Sequence, residues 1–314
     1  MLIAIAGGTG FLGQPLATAL AAEGHAIVVL TRKSTPPNAS NPPSPGSMTH
    51  VEWKPDGRAD SWSRALEGAG AVINLAGESI ASRRWSSAQK ARIVDSRRNA
   101  TTSLVAAIGS LRKPPAVFVS ASAIGYYGDR SDEILTEQSA PGSDFLSNLA
   151  VEWERHALQA ESPQTRVALV RTGIVLDPHG GALARMVVPF KAFVGGPLGS
   201  GRQYMSWIHR GDWLALLRWM ITNESASGPI NATAPTPVTN AEFSKQLGRA
   251  LGRPSLLPAP AFALRLLLGE MADPLLLASQ RVLPARAESL GFQFSYPQLG
   301  PALEALFGRR VRKG

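Results

Sequence analysis

The sequence contains no cysteine, which excludes disulfides and thiolate-ligated metal sites. It also lacks a long apolar run. The longest near the C-terminus, Leu256 to Leu268, is too short to span a bilayer and is interrupted by Arg265. The N-terminus enters an apolar strand without a basic leader, so a soluble, cytoplasmic protein is expected. Acidic residues are scarce, 23 Asp and Glu against 32 Lys and Arg, for a net charge of +9. No dense basic run accompanies that excess outside the tail Arg309-Arg310-Val311-Arg312-Lys313, and no nucleic-acid motif is present. A solvated basic surface that attracts anionic small molecules is the expectation, with neither nucleic acid nor a membrane as partner. His25, His50, His156 and His179 show no ligand spacing, so no metal is expected.

What the chain does have begins at its first residues. Leu2 to Ala6 is a short apolar run that breaks into Gly7-Gly8-Thr9-Gly10-Phe11-Leu12-Gly13, followed by a helix-like stretch from Gln14 to Glu23. Strand, glycine-rich turn and helix in that order form a dinucleotide-binding unit. Gly7 permits the tight turn, Gly10 lets a pyrophosphate approach the backbone, and Gly13 lets the helix pack on the strand with its N-terminus toward the phosphates.

The second strand, Ile27 to Leu30, ends in Thr31-Arg32-Lys33-Ser34, where a site for NAD would place an acidic residue on the ribose 2′-hydroxyl. A guanidinium pairs with a 2′-phosphate, whereas a carboxylate would repel it, so NADP(H) is favoured. The Pro- and Ser-rich stretch Ser34 to Ser47 reads as an exposed loop beside the adenosine end. Further strands are expected at His50–Trp53, Gly70–Gly77, Ala116–Ser120 and Arg166–Arg171, with helices at Ser87–Leu111 and Asp144–Ala160. The alternation predicts an α/β fold, a Rossmann-type doubly wound parallel sheet with a smaller substrate lobe. The expected division is a cofactor domain over 1–172, to which a helix at 213–223 returns, a substrate lobe over 173–250, and a helical C-terminal domain over 251–314. Gly180-Gly181, Val194 to Gly201 and Asn231 to Pro235 read as loops at the mouth of the lobe.

Four motifs carry a family resemblance: the opening glycines, Asn74-Leu75-Ala76-Gly77-Glu78, Ser120 through Gly128, and Ser206-Trp207-Ile208-His209-Arg210-Gly211-Asp212. With them the chain resembles an atypical branch of the extended short-chain dehydrogenase/reductases, the epimerase-like (NAD-dependent epimerase/dehydratase) family. The stretch from Pro258 to Phe292 resembles the C-terminal domain of undefined role that accompanies it. The resemblance implies a nicotinamide cofactor contacted by Gly7, Thr9, Gly10, Phe11, Leu12, Gly13, Thr31, Arg32, Leu75, Ala76, Gly77, Glu78 and Arg84. It also implies a Tyr acid/base with a Lys four residues later and a Ser or Thr that steadies an oxyanion.

Ser122 stands where that Ser would lie, just after the fifth strand. The Tyr and Lys are missing: none of the four tyrosines has Lys four positions on. In the helix that should carry them, the two positions fall on Leu146 and Ala150, or, shifted by one, on Phe145 and Leu149, and no such side chain exchanges protons. Tyr127 is the first substitute candidate. An aromatic loop anchor is the competing reading, because an unassisted phenol keeps a pKa of about 10. Arg83, Arg97 and Arg171 are further cations near strand ends or the next helix. Arg202, His209 and Arg210 are the expected substrate contacts, with Asp212 a candidate relay partner for His209. Two functions follow: an NADP(H)-dependent oxidoreductase or epimerase acting on an anionic, sugar-nucleotide-like small molecule, or a catalytically silent NADP(H)-binding sensor or assembly protein. The resemblance leaves open whether helices 87–111 and 144–160 form a homodimer seam or face solvent.

Overall fold

The protein is described here by a computed structural model of residues 1–32 and 44–308. Lys33, most of the Pro-rich loop and the basic tail lie outside the described residues. The seven strands of the main sheet are β1 (Leu2–Ala6), β2 (Ala26–Thr31), β3 (Met48–Glu52), β4 (Ala71–Asn74), β5 (Val117–Ala123), β6 (Arg166–Thr172) and β7 (Gly228–Ala232). They lie in the order β7-β6-β5-β4-β1-β2-β3. Pairing is parallel between β1 and β2, β1 and β4, β2 and β3, and β4 and β5. β2 and β4 are buried along their whole length, as strands covered on both faces must be, and therefore read as unbroken apolar runs.

The strand order reverses between β1 and β4, the switch point at which a doubly wound sheet opens a crevice at its carboxyl edge. Ala6 pairs with both Leu30 and Asn74, so the chain leaves β1, β2 and β4 at one level and delivers Gly7, Thr31 and Leu75 to the same edge. Helix α1 (Gly13–Ala22) buries Gly13, Leu16, Ala17 and Leu20, the spacing of one helical face. Helix α2 (Ser87–Ser110) starts at Ser86, whose hydroxyl accepts the Gln89 N–H at 3.2 Å. The remaining longer helices are α3 (Phe145–Leu158), α4 (Gly181–Lys191), α5 (Arg210–Thr222), α6 (Asn240–Leu251), α7 (Ala261–Leu268) and, at the end, α8 (Leu299–Phe307).

Three expectations are corrected. β5 runs to Ala123, so Ser122 lies inside the strand rather than after it. Asn231 and Ala232 belong to β7, the edge of the sheet, rather than to a loop. Helix α5 begins at Arg210 instead of Trp213 and takes Arg210 and Asp212 into its first turn.

The chain divides into two compact units, one of residues 1–122, 149–170 and 217–230, the other of residues 123–148, 171–216 and 231–314. The first has a core under the sheet that includes Val28, Leu30, Val72, Leu104, Phe118 and Leu169, with Trp53 set edge-on to Trp62 at 5.3 Å. In the second, Leu299, Ala302 and Leu303 of α8 pack with Phe190, Trp207, Phe243 and Leu247. Residues 251–314 belong to this second unit.

Candidate functional site

The first unit contains a cleft of about 460 Å³ at the carboxyl edge of its strands. Gly7, Thr9 and Gly10 form one wall, Thr31 and Arg32 another, and Leu75, Ala76, Gly77 and Glu78 a third, with Trp53, Pro55, Ser96 and Ala100 completing the lining. The first turn is built for close approach. Gly7 has φ +80°, a region open mainly to glycine, and its carbonyl accepts the Gly10 N–H at 3.0 Å. A Cβ on Gly13 would stand 2.2 Å from the Gly7 carbonyl oxygen, so α1 can approach the turn only without a side chain there. Phe11 and Leu12 connect turn and helix, and neither lines the cleft. Exposed Arg84 does not line it either.

The third wall is held by a buried polar cluster. Asn74 is fully buried at the end of β4, and its Oδ1 accepts the Ala76 N–H at 3.2 Å while its Nδ2 donates to Thr101 Oγ1 at 3.0 Å. Thr101 Oγ1 also accepts from Trp153 Nε1 at 3.0 Å, tying α2 and α3 to the same strand end. Arg97 supports the wall from behind. Its Nη1 donates to the Glu78 carbonyl at 2.9 Å, and its guanidinium lies 4.9 Å from the Trp153 ring centroid. Burial pulls its pKa down to about 10, with Glu78 opposing that shift. A Cβ on Gly77 would come within 3.2 Å of this guanidinium, so glycine at 77 makes room for Arg97.

Ser122 and Glu154 form a second buried feature of the same unit. Both are nearly inaccessible, and the Ser122 hydroxyl donates to Glu154 Oε1 at 2.6 Å. Glu154 stands four and eight residues beyond Ala150 and Leu146, so the three share one helical row of α3. Leu146 and Ala150 are buried, and Gly125 packs on Leu146 so closely that a Cβ there would be 3.2 Å from the Leu146 Cβ.

Tyr127, in the second unit, is fully buried. Its hydroxyl donates to Asn231 Oδ1 at 2.7 Å and accepts from Arg171 Nη1 at 3.0 Å. Burial raises its pKa to about 12, outweighing the opposing pull of Arg171. Arg171 is itself buried, with its guanidinium 3.4 Å from the Tyr126 ring centroid. Such a phenol has no accessible proton near neutral pH, and the loop-anchor reading fits it.

The expected substrate contacts are distributed differently. Arg210 is ion-paired with buried Asp177. His209 stacks on Tyr296 with ring centroids 3.9 Å apart, its Nδ1 accepts the Gly211 N–H at 3.0 Å, and burial lowers its pKa. Asp212 is committed to the backbone. Its carboxylate accepts the backbone N–H groups of Ser295 and Tyr296 at 3.0 and 2.9 Å. Arg202 remains exposed on its loop.

The sequence profile of the NAD dependent epimerase/dehydratase family matches residues 3–232. The chain belongs to that family. A second profile, a domain of unknown function (DUF1731), matches residues 259–306. The epimerase family protein SDR39U1 homolog, chloroplastic, of Arabidopsis thaliana is 44% identical over 310 residues, 98% of this chain and 86% of that protein. The crystal structure of human epimerase family protein SDR39U1 (isoform 2) with NADPH superposes with a TM-score of 0.88 at 34% identity, covering 99% of this chain and 100% of that one. A structure described as the nucleoside-diphosphate sugar epimerase from Corynebacterium glutamicum superposes with a TM-score of 0.78 at 33% identity, covering all of this chain and 59% of that one.

Sequence reasoning on this epimerase/dehydratase member named Gly7, Thr9, Gly10, Thr31, Arg32 and Leu75 to Glu78, which line the cleft, and Phe11, Leu12, Gly13 and Arg84, which do not. It missed the roles of Trp53, Ser96, Thr101 and Glu154. Only Glu154 carried a usable signal, a lone acid on the apolar row of α3.

Proposed function

We propose that the chain is an NADP(H)-dependent epimerase-like oxidoreductase whose cofactor occupies the cleft of the first unit. The observation that carries this reading is Arg32, a guanidinium on the cleft wall at the end of β2 where an NAD site would place a carboxylate. The NADPH held by the human relative supports the same choice. The cleft fits such a group. Its glycine turn admits phosphates to the backbone at Thr9 and Gly10, and Thr31 and Arg32 would hold the 2′-phosphate. Leu75 through Glu78 would flank the remaining length. When bound, the cofactor supplies or accepts a hydride.

The chain's own contribution is proton handling without the Tyr and Lys of the family. Ser122 already donates its hydroxyl hydrogen to Glu154. Ser122 is only 4% exposed, so the relay requires that a bound substrate uncover it; the substrate hydroxyl can then pass its proton to Ser122 Oγ as the Ser122 proton moves to the Glu154 carboxylate, and the reverse delivers a proton to a carbonyl. In this assignment Ser122 is the catalytic group and Glu154 its positioning base, while Tyr127 is a packing residue. The substrate class is a small anionic molecule of the nucleotide-sugar type, in keeping with the name of the Corynebacterium relative. Of the substrate contacts read from the sequence, Arg210 is engaged by Asp177.

The test is NADPH oxidation against carbonyl and nucleotide-sugar panels. Turnover that falls by about 10²–10⁴-fold in Ser122→Ala and Glu154→Gln, with NADPH affinity retained, is the expected result. Turnover indifferent to both substitutions would remove the relay. Tight binding without oxidation across the panels would favour the silent sensor, a reading supported by the apolar residues at either register of the family's acid/base positions, Leu146 and Ala150 or Phe145 and Leu149.

A further inference from the structure

Helix α7 is unusual for its composition. Seven of its eight residues, Ala-Phe-Ala-Leu-Arg-Leu-Leu-Leu, are apolar, yet none is buried. Phe262, Leu266 and Leu267 are 72%, 79% and 69% exposed, and Leu256 before the helix is 80% exposed. Single exposed apolar residues are ordinary, but a cluster marks a contact surface.

The cluster continues onto the neighbouring segment of the same unit. The Leu257 N–H donates to the Gly195 carbonyl at 3.3 Å and the Ala259 N–H to the Pro197 carbonyl at 2.9 Å, so residues 193–197 run beside residues 257–259. Phe193 there is 57% exposed and has φ +63°, a left-handed conformation that a bulky side chain rarely takes. The Arg253 guanidinium lies 4.5 Å from its ring centroid. Arg253, Arg249 and Lys245 line an open recess of about 440 Å³ together with Leu256. The recess and the apolar cluster thus meet at one residue.

The segments that form this face carry cations only, with Glu270 and Asp273 just beyond α7. Residues 185–202 carry Arg185, Lys191 and Arg202, and residues 245–269 carry Lys245, Arg249, Arg253 and Arg265, with no Asp or Glu in either segment. Arg265 pairs with Asp273, which lies beyond α7. A second copy of the chain, meeting this face with its own, would set these cations against one another. The side chains protrude, which suits a fluid apolar medium under an anionic surface: aromatic and Leu side chains enter the acyl boundary while Lys and Arg stay at the headgroups. No helix among the described residues is long and apolar enough to cross a membrane, so the contact would lie in the interface.

We infer that the face formed by Lys245, Arg249, Arg253, Leu256 and α7 docks this protein on an anionic lipid bilayer. The inference amends the sequence-based expectation of no membrane partner, which considered only spanning.

The test is co-sedimentation of the full chain with vesicles of phosphatidylcholine alone and of phosphatidylcholine mixed with phosphatidylserine. The chain should pellet with the mixed vesicles, not with the neutral ones, and should release as salt rises. Each neutralised cation near the surface weakens partitioning by about five-fold, so Lys245→Gln/Arg249→Gln/Arg253→Gln should weaken it by about 100-fold. Phe262→Ser/Leu266→Ser should abolish it with an unchanged melting curve, whereas Leu158→Ser, an exposed position in the other unit, should leave it intact. Failure to pellet with the mixed vesicles, equal pelleting with both, or pelleting insensitive to the α7 substitutions would overturn the inference. A lipid-free dimer that Phe262→Ser/Leu266→Ser dissolves would also overturn it, by making a second copy the occupant.

Discussion

Tyr127 looks catalytic in sequence, and in space its hydroxyl is buried and doubly hydrogen-bonded. Its hydroxyl satisfies Asn231 and Arg171 at once, both buried. Tyr127→Phe should therefore cost about 1–3 kcal/mol by leaving those groups underbonded, seen as a lower melting temperature, with NADPH affinity unchanged. The pH dependence has a definite sign. The phenol is held protonated up to about 12 in the fold, above its unfolded value of about 10, so its stabilisation is present below pH ~10 and is lost as pH rises through ~12. Tyr127→Phe should lose less stability than the wild type across that window in a pH series of denaturant melts; equal losses would remove the assignment. The sequence could offer Tyr127 as a candidate because its Tyr-Gly context is local. It could not show that Asn231, 104 positions away, accepts the phenol hydrogen. Ser122 and Glu154 repeat the lesson: each is visible alone, and their pairing exists only once β5 and α3 are packed.

At the scale of elements, legibility followed composition. β1, β2 and β4 were readable as unbroken apolar runs, and their ends set the cleft. β7 was not, because Gly228-Pro229-Ile230-Asn231-Ala232 has the composition of a turn. Proline in a strand is tolerated at a sheet edge, where one side has no ladder to complete, and β7 is at the edge. The turn from β1 into α1 was legible because its geometry is local, and it yields a prediction. Gly13→Ala would drive a methyl onto the Gly7 carbonyl oxygen, forcing α1 away from the turn. The expected cost is about 1–3 kcal/mol, together with a clear loss of NADPH affinity, checked by thermal melts and fluorescence titration. Gly24→Ala is the control for NADPH affinity: nothing stands within 4 Å of its added Cβ, although its φ of +83° strains the backbone. It should leave NADPH affinity intact.

For the whole molecule, sequence patterning anticipated the doubly wound sheet but not the core that α8 shares with α4 and α6, which is a set of long-range contacts. The two units make separate predictions. NADPH in hundred-fold excess over its dissociation constant should stabilise the unit that binds it by about 2.7 kcal/mol. Amide exchange should accordingly slow in residues 1–122, 149–170 and 217–230, with the largest protection at the β1 turn and at residues 74–78. Protection confined to the other unit would place the cofactor elsewhere. The central claim, that Arg32 selects a 2′-phosphate in this cleft, is tested most directly by titrating NADPH and NADH against the wild type and Arg32→Ala. The account predicts wild-type preference for NADPH, weakened by about 10- to 100-fold in Arg32→Ala with NADH affinity unchanged. Equal affinity of the wild type for both cofactors, or an unaltered preference in Arg32→Ala, would contradict it.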